Sequence, residues 1–226
     1  MNLHRRLLAG ARACGAVALA RFTRQPSSPW LPIAIYGTAA AGFVLWNLLT
    51  EPPAAWVWIV LPTSGLFLWT LVEYLLHSQM FHDAPPLFRW VAASHGNHHD
   101  EPNDPNRIVA RLTFSLPAAA ILFGALSLVL WSPRWAGLVV VGLVAGYLAY
   151  EVIHFSIHRV PWVRRLLRPL ASHHLHHHYA DPSRCFGVTS PLWDWVFRTG
   201  RRHRVIVTDI VEPEVSSRPG DAVIGG

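Results

Sequence analysis

The histidines of this chain are concentrated in four short motifs. Of the 14 histidines, all but His4 and His203 lie in HSQMFH, HGNHH, HFSIH or the run SHHLHHHY at residues 172–179. Imidazole nitrogens bind Zn, Cu, Fe and Ni, so this grouping predicts a metal site built from nitrogen ligands. The two cysteines, Cys14 and Cys185, form no CxxC pattern and indicate neither a disulfide scaffold nor a thiolate site.

The spacing inside the motifs is helical. Histidines at i, i+3 and i+4 share one face of a helix, so each HxxHH motif can offer three imidazoles to a common centre, and HFSIH can offer two. In HSQMFH the two histidines are five residues apart and point about 140° away from each other on an α-helix. His77 and His82 therefore need a helix end or a break between them, unless they serve different ions.

Together the four motifs provide ten candidate ligands. The first seven are His77, His82, His95, His98, His99, His154 and His158. The long run adds three more in one of two registers, which periodicity alone does not separate: His173, His176 and His177, or His174, His177 and His178. A structural zinc uses about four ligands, so ten nitrogen donors indicate two ions. A polyhistidine storage patch is the weaker interpretation, because storage needs no matching motifs elsewhere.

Two glutamates hold equivalent places beside these motifs. Glu73 lies four residues before His77 and Glu151 three residues before His154, about one helical turn in each case. Carboxylates near the ends of apolar segments need partners, so we expect each to accept a hydrogen bond from a ligand imidazole. The alternatives are an exposed glutamate at a helix end and, less favoured, direct metal ligation.

The elements that must position the motifs are apolar. The sequence is 52% hydrophobic and 14% charged, which favours a membrane protein. Stretches at residues 30–49, 55–76, 112–131 and 135–153 each approach the ~20 residues that cross a bilayer core. The predicted fold is therefore all-α, a polytopic membrane protein with four transmembrane helices and a histidine-rich helical cap that holds a dimetal centre.

Arginine distribution predicts the orientation. The short connections at 50–54 and 132–134 contain a single Arg, whereas the N-terminal arm, residues 77–111 and the chain after His154 are Arg-rich. The positive-inside rule therefore puts both termini and the metal site on the cytoplasmic side. The formal charge of +6 comes without a nucleic-acid recognition motif, so no nucleic-acid partner is expected.

The same pass along the chain predicts three regions. Residues 1–29 form an interfacial arm, with a signal peptide as the less favoured alternative. Residues 30–204 form the membrane domain, and residues 205–226 a flexible tail.

The two halves of the chain repeat one order of features. Each has two apolar stretches, a Glu next to a Tyr, a spaced histidine pair and then HxxHH. The first histidines of the pair and of the HxxHH are 18 residues apart in one half and 20 in the other. We infer a pseudo-twofold, parallel duplication of a helical hairpin with its metal-binding cap, and the two halves suggest two metals.

The setting of the ligands bears on the metal. They are predicted just beyond the cytoplasmic ends of the spans, within reach of an acyl chain entering from the bilayer. Oxidising an unactivated C–H bond requires a redox metal and O₂, which zinc cannot supply. Two iron ions are the predicted cofactors, with O₂ as co-substrate and zinc as a substitute in a purified sample.

From about residue 73 to residue 199 the chain resembles the fatty acid hydroxylase/sterol desaturase superfamily, most closely its fatty acid 2-hydroxylases. The resemblance is carried by EYLLHSQMFH, HGNHHDEPNDPNRIV, GYLAYEVIHFSIH and HHLHHHYADPSRCFGVTSPLWDWVFRT. The family pattern HxxHHY, followed by GVTS and WD, selects the register of His174, His177 and His178. Glu151 departs from the pattern, which usually has Asp there.

The resemblance implies a membrane-bound dimetal monooxygenase that hydroxylates a lipid acyl chain, with no catalytic residue beyond the metal ligands. The carbon next to the carbonyl of a fatty acid or sphingolipid is the candidate position. Without room for a fused cytochrome b5 domain, the expected electron donor is a separate cytochrome b5- or ferredoxin-like protein. The expected location is a bacterial inner membrane or an ER-like membrane. The alternatives are a sterol or carotenoid oxidase of the same superfamily and a non-enzymatic histidine-rich metal-binding membrane protein.

Overall fold

The computed structural model describes residues 30–201, and this part of the chain is helical with no β-strand. The predicted arm at residues 1–29 and the predicted tail at 205–226 lie outside the described residues. In chain order the helices are α1 (Trp30–Thr50), α2 (Ala55–Leu75) with a π-helical continuation (Leu76–Phe81), a 3₁₀ turn (Pro86–Phe88), α3 (Arg89–Asp100), α4 (Pro105–Ile108), α5 (Leu112–Val129), α6 (Pro133–Arg159), α7 (Pro161–Leu166), α8 (Arg168–Tyr179) and α9 (Leu192–Val196).

Four helical segments are long and apolar enough to cross a membrane. They are Trp30–Thr50, Ala55–Phe81, Pro105–Val129 and Pro133–Arg159. Large apolar side chains point away from the protein along them, with Leu128 77% and Val129 73% exposed. Contiguous apolar surface of this kind is rare on soluble monomers and is covered by lipid in membrane proteins. The predicted all-α fold with four membrane helices is confirmed.

Helix α6 lies at the centre of the bundle, and α2 packs against it most extensively. Two glycines allow the close approach: a Cβ on Gly65 would overlap the backbone carbonyl of Val139, and one on Gly142 would overlap that of Pro62. Small residues at such crossings let helix backbones touch, which is how helices associate in membranes. This contact fixes the distance between the two helices that carry His77 and His154.

The polar contacts at the far end of the bundle tie α1 to α6. Arg134 donates from Nε to Asn47 Oδ1 at 2.8 Å and from Nη1 to Glu51 Oε2 at 3.0 Å. Ser132 caps α6 by accepting from the Trp135 backbone N–H at 3.3 Å, with Pro133 in the first helical turn. Glu51 and Arg134 lie in the two short connections, residues 50–54 and 132–134, and are the one charged residue of each.

Helix α6 does not end with the apolar stretch at residue 153 but continues to Arg159. The reason is its buried face, which carries Glu151, His154 and His158 at helical spacing into the cap. The shorter helices α3, α4, α7, α8 and α9 build this cap around the ends of α2 and α6.

Candidate metal centre

Ten histidines of the four motifs form two compact groups. In each group the five ligand nitrogens all lie within 4.8 Å of one another. Group 1 consists of His77, His82, His95, His99 and His177, and group 2 of His98, His154, His158, His174 and His178. These are the ten residues that the sequence and the family pattern predicted as ligands, whereas His173 and His176 belong to neither group.

The two groups exchange ligands between the halves of the chain. His95 and His99 of the first HxxHH face group 1, but His98 faces group 2. In the second HxxHH, His174 and His178 face group 2, but His177 faces group 1. The expectation that the three imidazoles of one motif share a centre is therefore wrong. On the helix the middle histidine points about 60° away from the first and about 100° away from the last, whereas the first and last are only about 40° apart, so the middle one can reach the neighbouring group.

The exchange is the same in both halves of the sequence repeat. The corresponding pairs are His77 with His154, His82 with His158, His95 with His174, His98 with His177 and His99 with His178. When each histidine of group 1 is replaced by its counterpart in the other half, the result is the five histidines of group 2. The two groups are thus equivalent in composition, and each contains one residue from the opposite half.

His77 and His82 reach one group through the π-helical segment between them. Leu76–Phe81 forms i→i+5 hydrogen bonds, so residues five apart come to lie one turn above each other. The rings of the two histidines stack at 5.3 Å between centroids. The π-helix thus brings His77 and His82 together without the helix end or break that was expected between them.

The hydrogen bonds of group 1 indicate bare nitrogens facing one another. His77 Nδ1 donates to the Phe186 carbonyl at 2.6 Å, and His177 Nδ1 donates to the Arg184 carbonyl at 2.7 Å. Because a carbonyl only accepts, Nδ1 carries the proton in both rings and Nε2 is a lone pair. Those Nε2 atoms lie 3.1 Å from His95 Nε2 and 2.9 Å from His82 Nε2, respectively. Lone pairs that converge in this way fit a cation between them.

The nitrogen spacings also fit more than four ligands around each ion. Nε2 atoms approach to 2.9–3.2 Å in group 1 and 2.9–3.0 Å in group 2. Two nitrogens at about 2.1 Å from an ion lie about 3.0 Å apart at a right angle and about 3.4 Å apart in a tetrahedron. The rings of His99 and His178 stack at 4.2 Å, so the two groups adjoin.

Burial keeps the cap imidazoles neutral. It lowers the pKa of His95, His98 and His174 well below the usual value, and neighbouring imidazoles lower it further. The pKa of His99 falls to about 4 and that of His177 to about 3 for the same two reasons. Neutral imidazole is the form that binds metal, so the site does not have to lose protons at neutral pH.

The two glutamates are buried, but their observed partners are not imidazoles. Glu73 accepts from the Trp69 indole N–H at 3.1 Å, from the Val188 and Thr189 backbone N–H groups, and from the Thr189 hydroxyl. Glu151 accepts from the Ala110 backbone N–H at 3.0 Å. Neither carboxylate belongs to a metal group. Among the described residues neither carboxylate accepts the predicted hydrogen bond from a ligand imidazole.

Sequence reasoning missed Asp194, which is fully buried. Its carboxylate accepts from His173 Nε2 at 2.9 Å, from the Phe186 and Gly187 backbone N–H groups and from the Thr199 hydroxyl at 2.7 Å. Burial raises the pKa of Asp194, but these hydrogen bonds outweigh it and the pKa is lowered overall. The WD motif was a signal for this residue, although it suggested no role.

An apolar cavity adjoins group 1 inside the bundle. It is lined by α2, α5 and α6, with Tyr36 from α1, and His77 and Glu73 form part of its wall at the cap end. A second cavity in the cap touches both groups through His95, His98 and His154. The two cavities adjoin, because four residues line both of them: Phe81, Ala110, Phe114 and Tyr150.

Comparison with known proteins gives the family. The family model described as fatty acid hydroxylase matches residues 62–199, which include all ten histidines and Asp194. This chain belongs to the fatty acid hydroxylase family. The resemblance noted from the sequence is thereby confirmed.

Relatives of the fatty acid hydroxylase family have more specific names. A dihydroceramide fatty acyl 2-hydroxylase of Arabidopsis thaliana is 31% identical over 75% of this chain and 70% of its own length. A fatty acid 2-hydroxylase of Macaca fascicularis is 34% identical over 60% of this chain. The chain spans about two-fifths of the length of such animal relatives, 38% in this case.

A solved structure shares the fold. It is full-length scs7p, of which only the hydroxylase domain is visible. It aligns with a TM-score of 0.67 and 30% identity over 78% of this chain and 67% of that one.

Proposed function

We propose that this protein hydroxylates the acyl chain of a membrane lipid at a di-iron centre. The observation that carries the proposal is the apolar cavity that ends at His77, a member of group 1. Metal-binding histidines at the end of an apolar channel suit a substrate that is a long hydrocarbon. The names of relatives that act on fatty acyl groups support the same substrate class.

The cavity is long enough for a substantial part of an acyl chain. Along α6 its wall runs from Val140 to Tyr150, which is ~15 Å at ~1.5 Å per residue. An extended chain advances ~1.2 Å per bond, so about 12 bonds fit. The cap end is formed by His77, and the far end by residues such as Leu122 and Val140.

The metal supplies the oxidising chemistry when bound; iron is the proposed metal because imidazole ligands accept it and because O₂ chemistry needs a redox metal, which zinc is not. The five histidines of each group would hold one ion. The reaction balances as R–H + O₂ + two electrons + two protons giving R–OH and water. The chain's own residues hold the ions and align the acyl chain, and they exclude water from the apolar cavity.

The second cavity suits the polar end of the lipid. Ser94, Arg107 and Arg111 line it together with histidines of both groups. A lipid with its tail in the apolar cavity and its carbonyl end here would have its first carbons where the two cavities adjoin, beside His77 and His154. This arrangement supports hydroxylation next to the carbonyl.

Electrons would come from a separate protein of the cytochrome b5 or ferredoxin class. We also propose that the cap and both termini face the cytoplasm, and that residues 30–204 act as one membrane domain.

The surface of the cap is basic. Arg164, Arg165 and Arg168 give it a positive charge that suits an acidic electron donor or lipid headgroups. Metal transport is the weaker alternative, because transport sites lie near the middle of the membrane and these groups lie at helix ends.

Lipid analysis tests the proposal directly. Cells that express the protein should accumulate acyl chains with one added hydroxyl group, measured by mass spectrometry, and cells with an empty vector should not. Position 2 is expected for the hydroxyl group. A full complement of two metal ions without any hydroxylated acyl product would contradict the proposed reaction.

Ala119→Phe should shorten the acyl chain that the protein accepts. Ala119 lines the apolar cavity on α5, and a phenyl ring would fill the space beyond the first few carbons. We expect kcat/KM for long-chain substrates to fall at least about 10-fold, corresponding to ~1.4 kcal/mol of lost transition-state binding. Shorter chains should be affected less, and bound metal should stay the same.

Ala120→Phe is the matched control. Ala120 is the next residue of α5 and is exposed on the lipid side, so the same added ring should leave chain-length preference unchanged. An equal loss in both variants would argue against the cavity as the acyl site.

A further inference from the structure

One loop lies between helix α8 and the WD motif and contains most of the GVTS motif. Residues 184–189, here called the carbonyl loop, follow α8 and its histidines. Its Arg184 and Phe186 carbonyls accept the Nδ1 protons of His177 and His77. Both histidines belong to group 1. The loop therefore sets the direction of two of the five nitrogens in that group.

Two buried carboxylates hold the carbonyl loop. Four successive backbone N–H groups donate to them: Phe186 and Gly187 to Asp194 at 2.9 and 2.8 Å, and Val188 and Thr189 to Glu73 at 2.5 and 2.9 Å. Glu73 is 3% exposed and Asp194 is 0% exposed. Hydrogen bonds to an ionised carboxylate such as Asp194 are about twice as strong as neutral ones.

The loop needs this support because its backbone is strained. Cys185, between the two carbonyl-bearing residues, has φ of 61°, in the left-handed region that costs a side-chain-bearing residue energy. The turn at Cys185 is fastened by its own N–H, which donates to the Thr199 carbonyl at 2.9 Å, and the Thr199 hydroxyl donates to Asp194. Loss of Asp194 would remove the hydrogen bonds that hold this strained conformation, so the loop would be expected to change conformation.

Group 2 has no comparable support. Its five Nδ1 atoms are all buried, and none has a hydrogen-bond partner within residues 30–201: His98, His154, His158, His174 and His178. No residue of the carbonyl loop contacts them by hydrogen bond in this part of the chain. The two groups match in ligand composition but differ in what orients the ligands.

We propose that Asp194 and Glu73 are positioning residues for group 1 alone, acting through the carbonyl loop on His77 and His177. The inference rests on the proposed metal-binding function of both groups. Outer partners of ligand histidines commonly change metal affinity 10–100-fold. Weakening the loop should therefore lower the affinity of the group 1 ion by that factor and leave the group 2 ion unaffected.

Asp194→Asn tests the proposal in two backgrounds that each keep one group. His178→Ala disables group 2, and His95→Ala disables group 1. Detergent-solubilised proteins loaded with iron(II) under anaerobic conditions are titrated with a chelator, and retained metal is measured by elemental analysis. Asp194 accepts four hydrogen bonds, from His173, Phe186, Gly187 and Thr199. The amide that replaces the carboxylate has a single acceptor oxygen, so it accepts fewer of them. In the His178→Ala background the ion should therefore leave at 10–100-fold less free chelator. In the His95→Ala background the titration should not move by more than about twofold.

Equal shifts in both backgrounds, or no shift in the His178→Ala background, would overturn the inference. Thr189→Val is a second variant in case Asp194→Asn does not fold; it removes only the hydroxyl contact with Glu73 and should give a smaller shift in the same background. Circular dichroism and gel filtration check folding in each case. A parent protein that binds no metal would refute the proposed function instead, so the two failures are distinguishable.

Discussion

His177→Ala is expected to bind one metal ion where the parent binds two, and to lose hydroxylation entirely. His177 is fully buried in group 1, with Nε2 2.9 Å from His82 Nε2 and 3.1 Å from His99 Nε2. Outer partners of such ligands already change affinity or activity 10–100-fold, so removal of the ligand itself should exceed 100-fold. Elemental analysis gives the metal content, and product formation gives the activity.

His98→Ala should have the same effect on group 2, since His98 corresponds to His177 in the repeat. His176→Ala is the matched control: His176 is buried on the same helix as His177 but belongs to neither group. It should keep two ions and substantial activity. Loss of metal in the control, or two ions in His177→Ala, would contradict the assignment of ligands.

Gly142→Leu is expected to destabilise the bundle more than any comparable change on its lipid-facing surface. The new Cβ would overlap the Pro62 carbonyl on α2, and backbone cannot move aside as a side chain can. Overpacking typically costs about 1–3 kcal/mol, and a backbone contact should be at the upper end or beyond it. For a protein of this size that is a fall in Tm of about 10 °C. Thermal unfolding in detergent measures it.

Gly124→Leu is its control. Gly124 is exposed on α5 and a Cβ there would meet nothing within 4 Å. Leucine also favours a helix over glycine by roughly 0.8 kcal/mol, so this variant should be neutral or slightly more stable. If both variants unfold at the same temperature, the packing of α2 on α6 does not depend on the glycine contact.

The fold was predictable because its signal is local. Four apolar stretches of about 20 residues identify four helices whatever their neighbours are, although the predicted span 135–153 is shorter at both ends than α6, Pro133–Arg159. The ten histidines were also predictable, because both halves repeat the same spacing and the family pattern chooses the register in the long run. Their membership in groups 1 and 2 follows from the structure.

The rest depends on contacts between distant residues. An HxxHH motif gives the angles between its histidines, but not which other histidines lie near each of them. The sequence therefore did not predict that His98 joins group 2 and His177 joins group 1. α-Helical periodicity also misjudged His77 and His82, because the π-helical segment has a different turn. Asp194 lies 121 residues after Glu73, yet both hold the same loop. Nothing in the local sequence links them.

The exchange of His98 and His177 between the groups also constrains when the centre can form as the chain is made. Group 1 needs His177 and group 2 needs His174 and His178, so both wait for α8. The first half of the chain offers four of the group 1 histidines long before then, but without His177. Since domains form as synthesis proceeds from the N-terminus, the four helices can insert and pack first. The two proposed ions would then be acquired late, when one helix near the end of the domain completes the two groups together.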